Sequence, residues 1–539
     1  MRIADLIAQT LAAHGIRHAF GMPGGEVVTM LDALEAAGIA FTLARNETAA
    51  AMMAVGASAV TGAPGLLLTT LGPGLANAVN GIADAQQEQV PLLVISGIVE
   101  ASVRGRYTHQ ILDHAALLRP LVKASFEVAA EGAAETIARA LALAVRAPAG
   151  PVHIDLSPVL AAQDAPAASH PVKPPIRLHP VPAGDDPVLR AVADKIAHSR
   201  HPIILAGFEA ARCGAAAAVT LLMDQQRIPV ITTYKAKGLV PEDHPLSLGG
   251  AGLSPKADKV LLELIAKADL VLTIGYDPIE MRAGWLDAFP ATAQVIDLTA
   301  HPADHGMHRV DQQVIGPLPG TIAALNWALG KSAPPPHWAA GQAVAARTEL
   351  HAAFASPAAW GPHAVFATLQ AALPESATVT VDSGAHRILF SQIWQAQRPL
   401  SVLQSAGFCT MGAALPLAIG AARAGVPGPV VAIMGDGGLE MTLGELGTLR
   451  DAGLKVIVLV VQDVSLALIA LKQAQAGLAP AGVAMGRTDY AALAKAFGGA
   501  GETVESVGAL GAALERALAA DGFSLIAAAV DAEAYRGAF

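Results

Sequence analysis

The sequence predicts an α/β protein built from three doubly wound parallel-sheet domains, and three observations carry that expectation. At 539 residues the chain is longer than one hydrophobic core usually organises. Short unbroken runs of Val, Ile and Leu alternate with helical patterns along its length, as strands buried on both faces require. Two proline-dense stretches, 163–187 and 330–338, divide it into three blocks. The boundaries expected from these stretches are 1–165, 185–330 and 350–539.

The elements follow in order. The opening "MRIADLIAQTLAAHGI" has helical spacing with Asp5 in its first turn, unlike the basic start and apolar core of a leader. Strands are expected at "GLLLTT" (65–70), "PLLVISG" (91–97) and "GPVHIDL" (150–156) in the first block. The second block offers "HPIILAG" (201–207), "IPVITT" (228–233), "DLVLTIG" (269–275) and "AQVIDL" (293–298). The third offers "ATVTVD" (377–382), "GPVVAIMGDGG" (428–438), "LKVIVLVVQD" (454–463) and "FSLIAAAVD" (523–531).

Composition narrows the partners. The chain is 53% apolar and 15% charged, with net charge −10 and no run of Lys or Arg, so no nucleic acid or anionic membrane is expected. No apolar run approaches the ~18 residues a membrane span needs. Cys213 and Cys409 form no CxxC, so neither a disulfide framework nor a zinc site is indicated, and a cytoplasmic location fits. A small-molecule partner is the expectation.

In doubly wound sheets ligands bind beyond the carboxyl ends of the strands, which directs attention to the loops there. In "MGDGG" (434–438), Gly435, Gly437 and Gly438 would let backbone N–H groups approach a diphosphate at a helix N-terminus. Asp436 would repel that diphosphate unless a hard divalent cation sat between them, and Mg²⁺ commonly takes carboxylates together with phosphate oxygens. The next buried run ends in Asp463, with 25 residues between it and Gly437, so a strand–helix–strand crossover brings both carboxylates to one rim. A backbone carbonyl near Ser465 would be a third ligand. The competing readings are a tight turn closed by Asp436 and a helix N-cap formed by Asp463.

Gly-Asp-Gly followed at this spacing by an acid resembles the diphosphate and metal motif of thiamine-diphosphate-dependent enzymes. "ARNETAAAMMAVGASAVTG" (44–62), "LTTLGPGLANA" (68–78) and "GFCTMGAALPLAIGAA" (407–422) extend the resemblance over nearly the whole chain. "RYTHQILDHAALLRPLVKAS" (106–125) and "LTIGYDPIE" (272–280) look most like the catabolic, flavin-independent branch of the acetolactate synthase group. The resemblance implies pyrimidine-binding, central and diphosphate-binding domains in that order. It also implies a homodimer or homotetramer whose active sites lie between subunits, with thiamine diphosphate and Mg²⁺ bound.

Carried over by residue, Glu47 would bond the pyrimidine ring and, buried among Ala, Met and Val, share a proton with it. Met411 would wedge the cofactor into its bent form, and the Cys409 carbonyl would meet the 4′-amino group. Gly384 and His386 would contact the diphosphate. Gln110, preceded by His109, would face the reacting centre, and Pro23, Gly24 and Gly25 would cover the thiazolium from the facing subunit. Each has a plainer alternative: a solvated acid for Glu47, packing for Met411 and Cys409, loop polarity for His386, His109 and Gln110.

Three departures stand out: Asn46 in place of the usual His, Gln462 in place of Asn, and Ala385 in place of a longer polar residue. "LSLGGAGL" (246–253) is Gly-rich but no GxGxxG follows a strand, so FAD is not expected. The implied activity is decarboxylation of a 2-oxo acid such as pyruvate and addition of the enamine to a second carbonyl. A decarboxylase is the near alternative; the His-His pair of such relatives is missing, although His109 or His114 could supply the proton. A 2-hydroxyacyl thioester lyase and a non-catalytic paralogous subunit are the others.

Overall fold

A computed structural model describes residues 1–175, 180–302, 305–330, 337–355 and 359–539. Residues 176–179 of the first proline-dense stretch and 331–336 of the second lie outside the described residues.

Three six-stranded sheets succeed one another along the chain, and every strand pairing within them is parallel. The first contains β1 (His18–Met22), β2 (Ala40–Leu43), β3 (Gly65–Thr69), β4 (Leu92–Gly97), β5 (Ser125–Glu127) and β6 (Pro151–Leu156), in spatial order β2-β1-β3-β4-β6-β5. The second contains β7 (Pro202–Ala206), β8 (Val230–Thr233), β9 (Ser247–Ala251), β10 (Leu270–Ile274), β11 (Gln294–Thr299) and β12 (Gln312–Ile315), in order β12-β11-β10-β7-β8-β9. The third contains β13 (Thr378–Val381), β14 (Val402–Gln404), β15 (Val430–Gly435), β16 (Val456–Gln462), β17 (Ala500–Val504) and β18 (Ser524–Ala529), in order β14-β13-β15-β16-β18-β17.

The first and third sheets therefore share one topology. In each, the order reverses between the first and third strands, and the loops after those two strands flank a crevice. All eleven apolar runs read from the sequence become strands, because central parallel strands bury both faces.

The two matching domains are joined through equivalent helices, Glu47–Thr61 after β2 and Ala414–Arg423 after β14. They cross backbone to backbone: a Cβ on Gly420 would stand 1.9 Å from the Met53 carbonyl oxygen, and one on Gly56 2.4 Å from that of Leu417. Small residues on both helices permit this approach, so the N- and C-terminal domains share one continuous core that includes Met53, Ala57, Leu417 and Val458. The central domain packs its own apolar residues, such as Trp285 and Leu261, into a core continuous with Phe366 and Phe390 of the C-terminal domain. No helix among the described residues is long and apolar enough to cross a membrane.

Candidate functional site

The crevice of the C-terminal sheet opens into a cavity of about 280 Å³. It is walled by the loops after β13, β15 and β16 and by the segment before Ala414–Arg423. Gly384, His386, Cys409, Met411, Gly435, Asp436, Gly437, Gly438, Asp463 and Ser465 all line it, so ten of the residues singled out in the sequence converge on one hollow.

Its acids come to the same rim because β15 and β16 pair in register, Gly435 opposite Val461. Asp436 is buried, with Oδ2 accepting the Val464 N–H at 2.7 Å and Oδ1 the Gly437 N–H at 2.9 Å. Asp463 accepts the Ser465 N–H at 3.0 Å and does not cap the helix Ala467–Gln475, whose N-cap is Leu466. Between them Val464 adopts φ 51, a left-handed conformation that a β-branched residue rarely takes and that marks stored strain. Burial, reinforced by the neighbouring Asp436, pushes the Asp463 carboxyl up to about 7, and burial likewise raises Asp436. The Ser465 carbonyl accepts no hydrogen bond from the described residues. Two desolvated carboxylates and a spare carbonyl form an all-oxygen donor set, neither acid in a salt bridge among the described residues, which is the kind of set a hard divalent cation takes.

The opposite wall is polar and incompletely satisfied. His386 is buried in the first turn of the helix Ala385–Ile393 with Nε2 lacking any partner. Burial, then Arg387, pushes its pKa down to about 3, so the ring stays neutral. An orphaned neutral imidazole facing the hollow can donate to or accept from a bound ligand, unlike the internally satisfied loop histidine that was the alternative. Met411 reaches toward Gly437, where a Cβ would lie 3.6 Å from its methyl carbon. Cys409 is exposed rather than packed away, at φ 57, its carbonyl accepting from the Ser383 hydroxyl at 2.8 Å.

One glycine has a different task from the one its motif suggests. A Cβ on Gly438 would stand 1.9 Å from Asp382 Oδ2, so the residue is small to admit that carboxylate, not an anion in the cavity. Asp382 is fully buried and accepts the N–H groups of Gly412 and Ala413 at 2.9 and 3.0 Å, pinning the Cys409–Met411 loop. Sequence reasoning missed it, although a lone Asp closing the run "ATVTVD" was the available signal. It also missed Arg387, which lines the cavity while its guanidinium donates to the Ser405 carbonyl at 2.5 Å and contacts Cys409 Sγ at 3.3 Å.

The remaining predicted residues do not line this cavity. Pro23, Gly24, Gly25, Glu47, His109 and Gln110 gather at the matching rim of the N-terminal sheet. Glu47 opens its helix buried, not solvated, and Asn77 Nδ2 donates to its Oε2 at 2.5 Å. Asn46 is the helix N-cap, its side-chain oxygen accepting from Thr48 N at 2.9 Å and Ala49 N at 3.4 Å. That is a structural task for the residue that departs from the family pattern. A Cβ on Gly74 would lie 3.2 Å from Glu47 Oε1, one on Gly72 2.5 Å from the Gln110 carbonyl oxygen, and one on Gly24 2.4 Å from Thr70 Oγ1. His109 and Gln110 are exposed.

Comparison with known proteins agrees with this division into three. Family models match residues 1–117 as the N-terminal TPP binding domain of a thiamine pyrophosphate enzyme, 189–325 as the central domain and 382–528 as the C-terminal TPP binding domain. The chain is 31% identical to an acetolactate synthase of Bacillus subtilis over 98% of its own length and 93% of the relative's. It is 29% identical to a catabolic acetolactate synthase of Raoultella terrigena over 98% and 95% of the two chains. A probable 2-ketoarginine decarboxylase of Pseudomonas aeruginosa is 30% identical over 91% and 87%.

Proposed function

This chain belongs to the thiamine pyrophosphate enzyme family, and from that premise we propose that it is a carboligase that decarboxylates a 2-oxo acid such as pyruvate and joins the remaining unit to a second carbonyl. The observation that carries this reading is the pairing of a cavity rimmed by two neighbouring carboxylates, Asp436 and Asp463, in one domain with a buried carboxylate, Glu47, at the same topological rim of the other.

Asp436, Asp463 and the Ser465 carbonyl would hold Mg²⁺, while His386 and the N–H groups of the Gly435–Gly438 turn hold the diphosphate. Met411 and the Cys409 carbonyl would orient the pyrimidine. Thiamine diphosphate, when bound, supplies the electron sink for losing CO₂ and the carbon that attacks the acceptor. Glu47, shielded from water and fixed by Asn77, would hold a proton against the pyrimidine N1′. His109 and Gln110 stand exposed, where they would meet the substrate carbonyls. Since no N-terminal residue lines the cavity, a second copy of the chain is proposed to bring its Glu47 and its Pro23–Gly25 loop over it, in a homodimer or a pair of them.

We do not propose FAD for the central domain. At its reversal point between β7 and β10 a Cβ on Gly207 would lie 2.4 Å from the Gly275 carbonyl oxygen, and that close approach of the two loops supports the reading. Glu209 spends the nearby donors on its own carboxylate, accepting from Ala300 N and Thr299 Oγ1 at 3.0 Å each and lying 2.6 Å from His301 Nδ1. A cytoplasmic setting is proposed from the two free cysteines.

The test is purified protein with thiamine diphosphate, Mg²⁺ and pyruvate, followed for acetolactate, acetaldehyde and acetoin. Acetolactate that disappears in Glu47→Gln is the expected result. Aldehyde alone would convert the reading to a decarboxylase, and untouched pyruvate with cofactor bound would move the search to longer 2-oxo acids, including 5-guanidino-2-oxopentanoate, and to acyl thioesters.

A further inference from the structure

One buried polar network in the N-terminal domain has no part in the function proposed above. It joins His114, at the start of the helix His114–Leu118, to Asp155 and His153 on β6 and Ser96 on β4. All four side chains are buried. His114 Nε2 accepts the Gly72 N–H at 3.2 Å, which places the ring proton on Nδ1, and Nδ1 donates to Asp155 Oδ1 at 2.6 Å. The Ser96 hydroxyl bridges Asp155 Oδ1 at 3.1 Å and His153 Nε2 at 2.6 Å. His114, His153 and Asp155 lie close enough together to hold a cation, but both His114 nitrogens are already committed, so hydrogen bonding accounts for the cluster.

What the network holds is the turn after β3. Gly72 lies at φ 55, and the carbonyl oxygen of Gln110, itself at φ 57, occupies the space a Gly72 side chain would fill. Among the described residues, nothing in 108–112 is hydrogen-bonded to the rest of the chain, so the exposed segment carrying His109 and Gln110 rests on Gly72 and on the buried His114 that ends it. Two residues further along the same turn, Gly74 abuts Glu47.

We propose that His114 and Asp155 are a positioning pair: they fix Gly72, Gly72 seats the Gln110 backbone, and Gln110 is thereby kept at a set height relative to Glu47. The inference rests on the reading of Gln110 as a residue facing the reacting centre.

Two near-isosteres divide the pair's contacts. In His114→Asn the amide can still donate to Asp155 but no longer reaches Gly72. In His114→Gln the amide oxygen can take over the Gly72 N–H. Hydrogen–deuterium exchange on the thiamine diphosphate and Mg²⁺ holoenzyme should show 71–76 and 107–113 exchanging about fivefold faster in the Asn variant and near the unmodified rate in the Gln variant. The ratio of ligated product to free aldehyde, measured with the best 2-oxo acid, should fall about tenfold in the Asn variant and recover in the Gln variant. Should Asn at 114 fold poorly, Asp155→Asn tests the same tether from its other end.

Unchanged exchange in the Asn variant overturns the tether, whatever the substrate proves to be. Faster exchange with an unchanged product ratio overturns the positioning of Gln110. Failure of the carboligase reading shows elsewhere, as missing ligated product in the unmodified protein, and leaves the exchange result to decide the tether.

Discussion

The crevices of the first and third sheets occupy the same place in the same topology, yet one is shut and the other open. In the N-terminal domain the loops after β1 and β3 touch: Thr70 donates to Glu26 at 2.7 Å, and Gly24 has no room for a side chain against Thr70. Glu47 is matched there by Asn77 and His114 by Asp155. In the C-terminal domain the equivalent loops part around a cavity, setting two neighbouring carboxylates held only by backbone N–H groups at its rim and leaving His386 Nε2 without a partner. The turn after β3 reads Gly72-Pro73-Gly74 where the turn after β15 reads Gly435-Asp436-Gly437. The difference teaches that this topology supplies a place for a ligand but not the demand for one. The demand comes from the charge concentrated at the open rim, where Asp436 raises the neighbouring Asp463 carboxyl, and the closed crevice can contribute only through groups that project from its rim.

The strongest challenge to that contrast is Asp436→Ala. Removing a direct ligand should weaken cofactor binding, titrated by intrinsic fluorescence, by more than the roughly 10–100-fold typical of losing a supporting group. Undiminished binding would mean that the open crevice is not where the cation sits. Glu47→Gln is the counterpart on the closed side: turnover should drop roughly 10²–10⁴-fold while cofactor affinity holds, as the proposed role of the residue on a proton rather than in binding requires. Loss of both together would erase the distinction between the two rims.

A smaller effect sharpens the contrast through pH. The Asp463 carboxyl titrates near 7 in the folded chain, above the ~3.9 of an unfolded one. Its contribution to stability is therefore complete below about pH 4 and is lost as pH rises through 7. A divalent cation should reverse that loss, so the gain in melting temperature on adding Mg²⁺ should be larger at pH 8 than at pH 5. An equal gain at both values would detach the cation from this pair. The smallest change is expected from Asn46→Ala, which removes a helix cap on the closed side and should cost about 1 kcal/mol in denaturant unfolding while leaving cofactor binding intact.

What the sequence revealed divides along physical lines. The eleven recognised runs are central strands or their close neighbours, buried on both faces. The missed strands are the six sheet edges, β2, β5, β9, β12, β14 and β17, together with the short β1. "SFE" of β5 and "QQVI" of β12 are only partly buried, so no continuous apolar signal marks them. The cavity residues were legible because they stand in Gly-rich motifs at the carboxyl ends of buried runs, where strand spacing alone brings them to one rim. Asp382, Arg387 and the buried contacts of His114 were not, because each works through partners such as Gly412, Ser405 and Gly72 that only the folded chain brings near. The purpose of Gly438 was hidden in the same way: the motif named the residue, and the space taken by Asp382 gave the reason.

The crossing at Gly56 and Gly420 has a consequence for how this protein can be taken apart. Where two helices meet backbone against backbone there is no layer of side chains to yield, so relative sliding of the end domains would break contacts at once instead of deforming them gradually. Dissection of the chain into separately expressed pieces should respect that seam. A fragment ending before the third sheet would present the bare Ala- and Met-rich face of Glu47–Thr61 to solvent, a surface prone to self-association. The central sheet is no freer to trim, because its core runs on into Phe366 and Phe390 of the C-terminal domain.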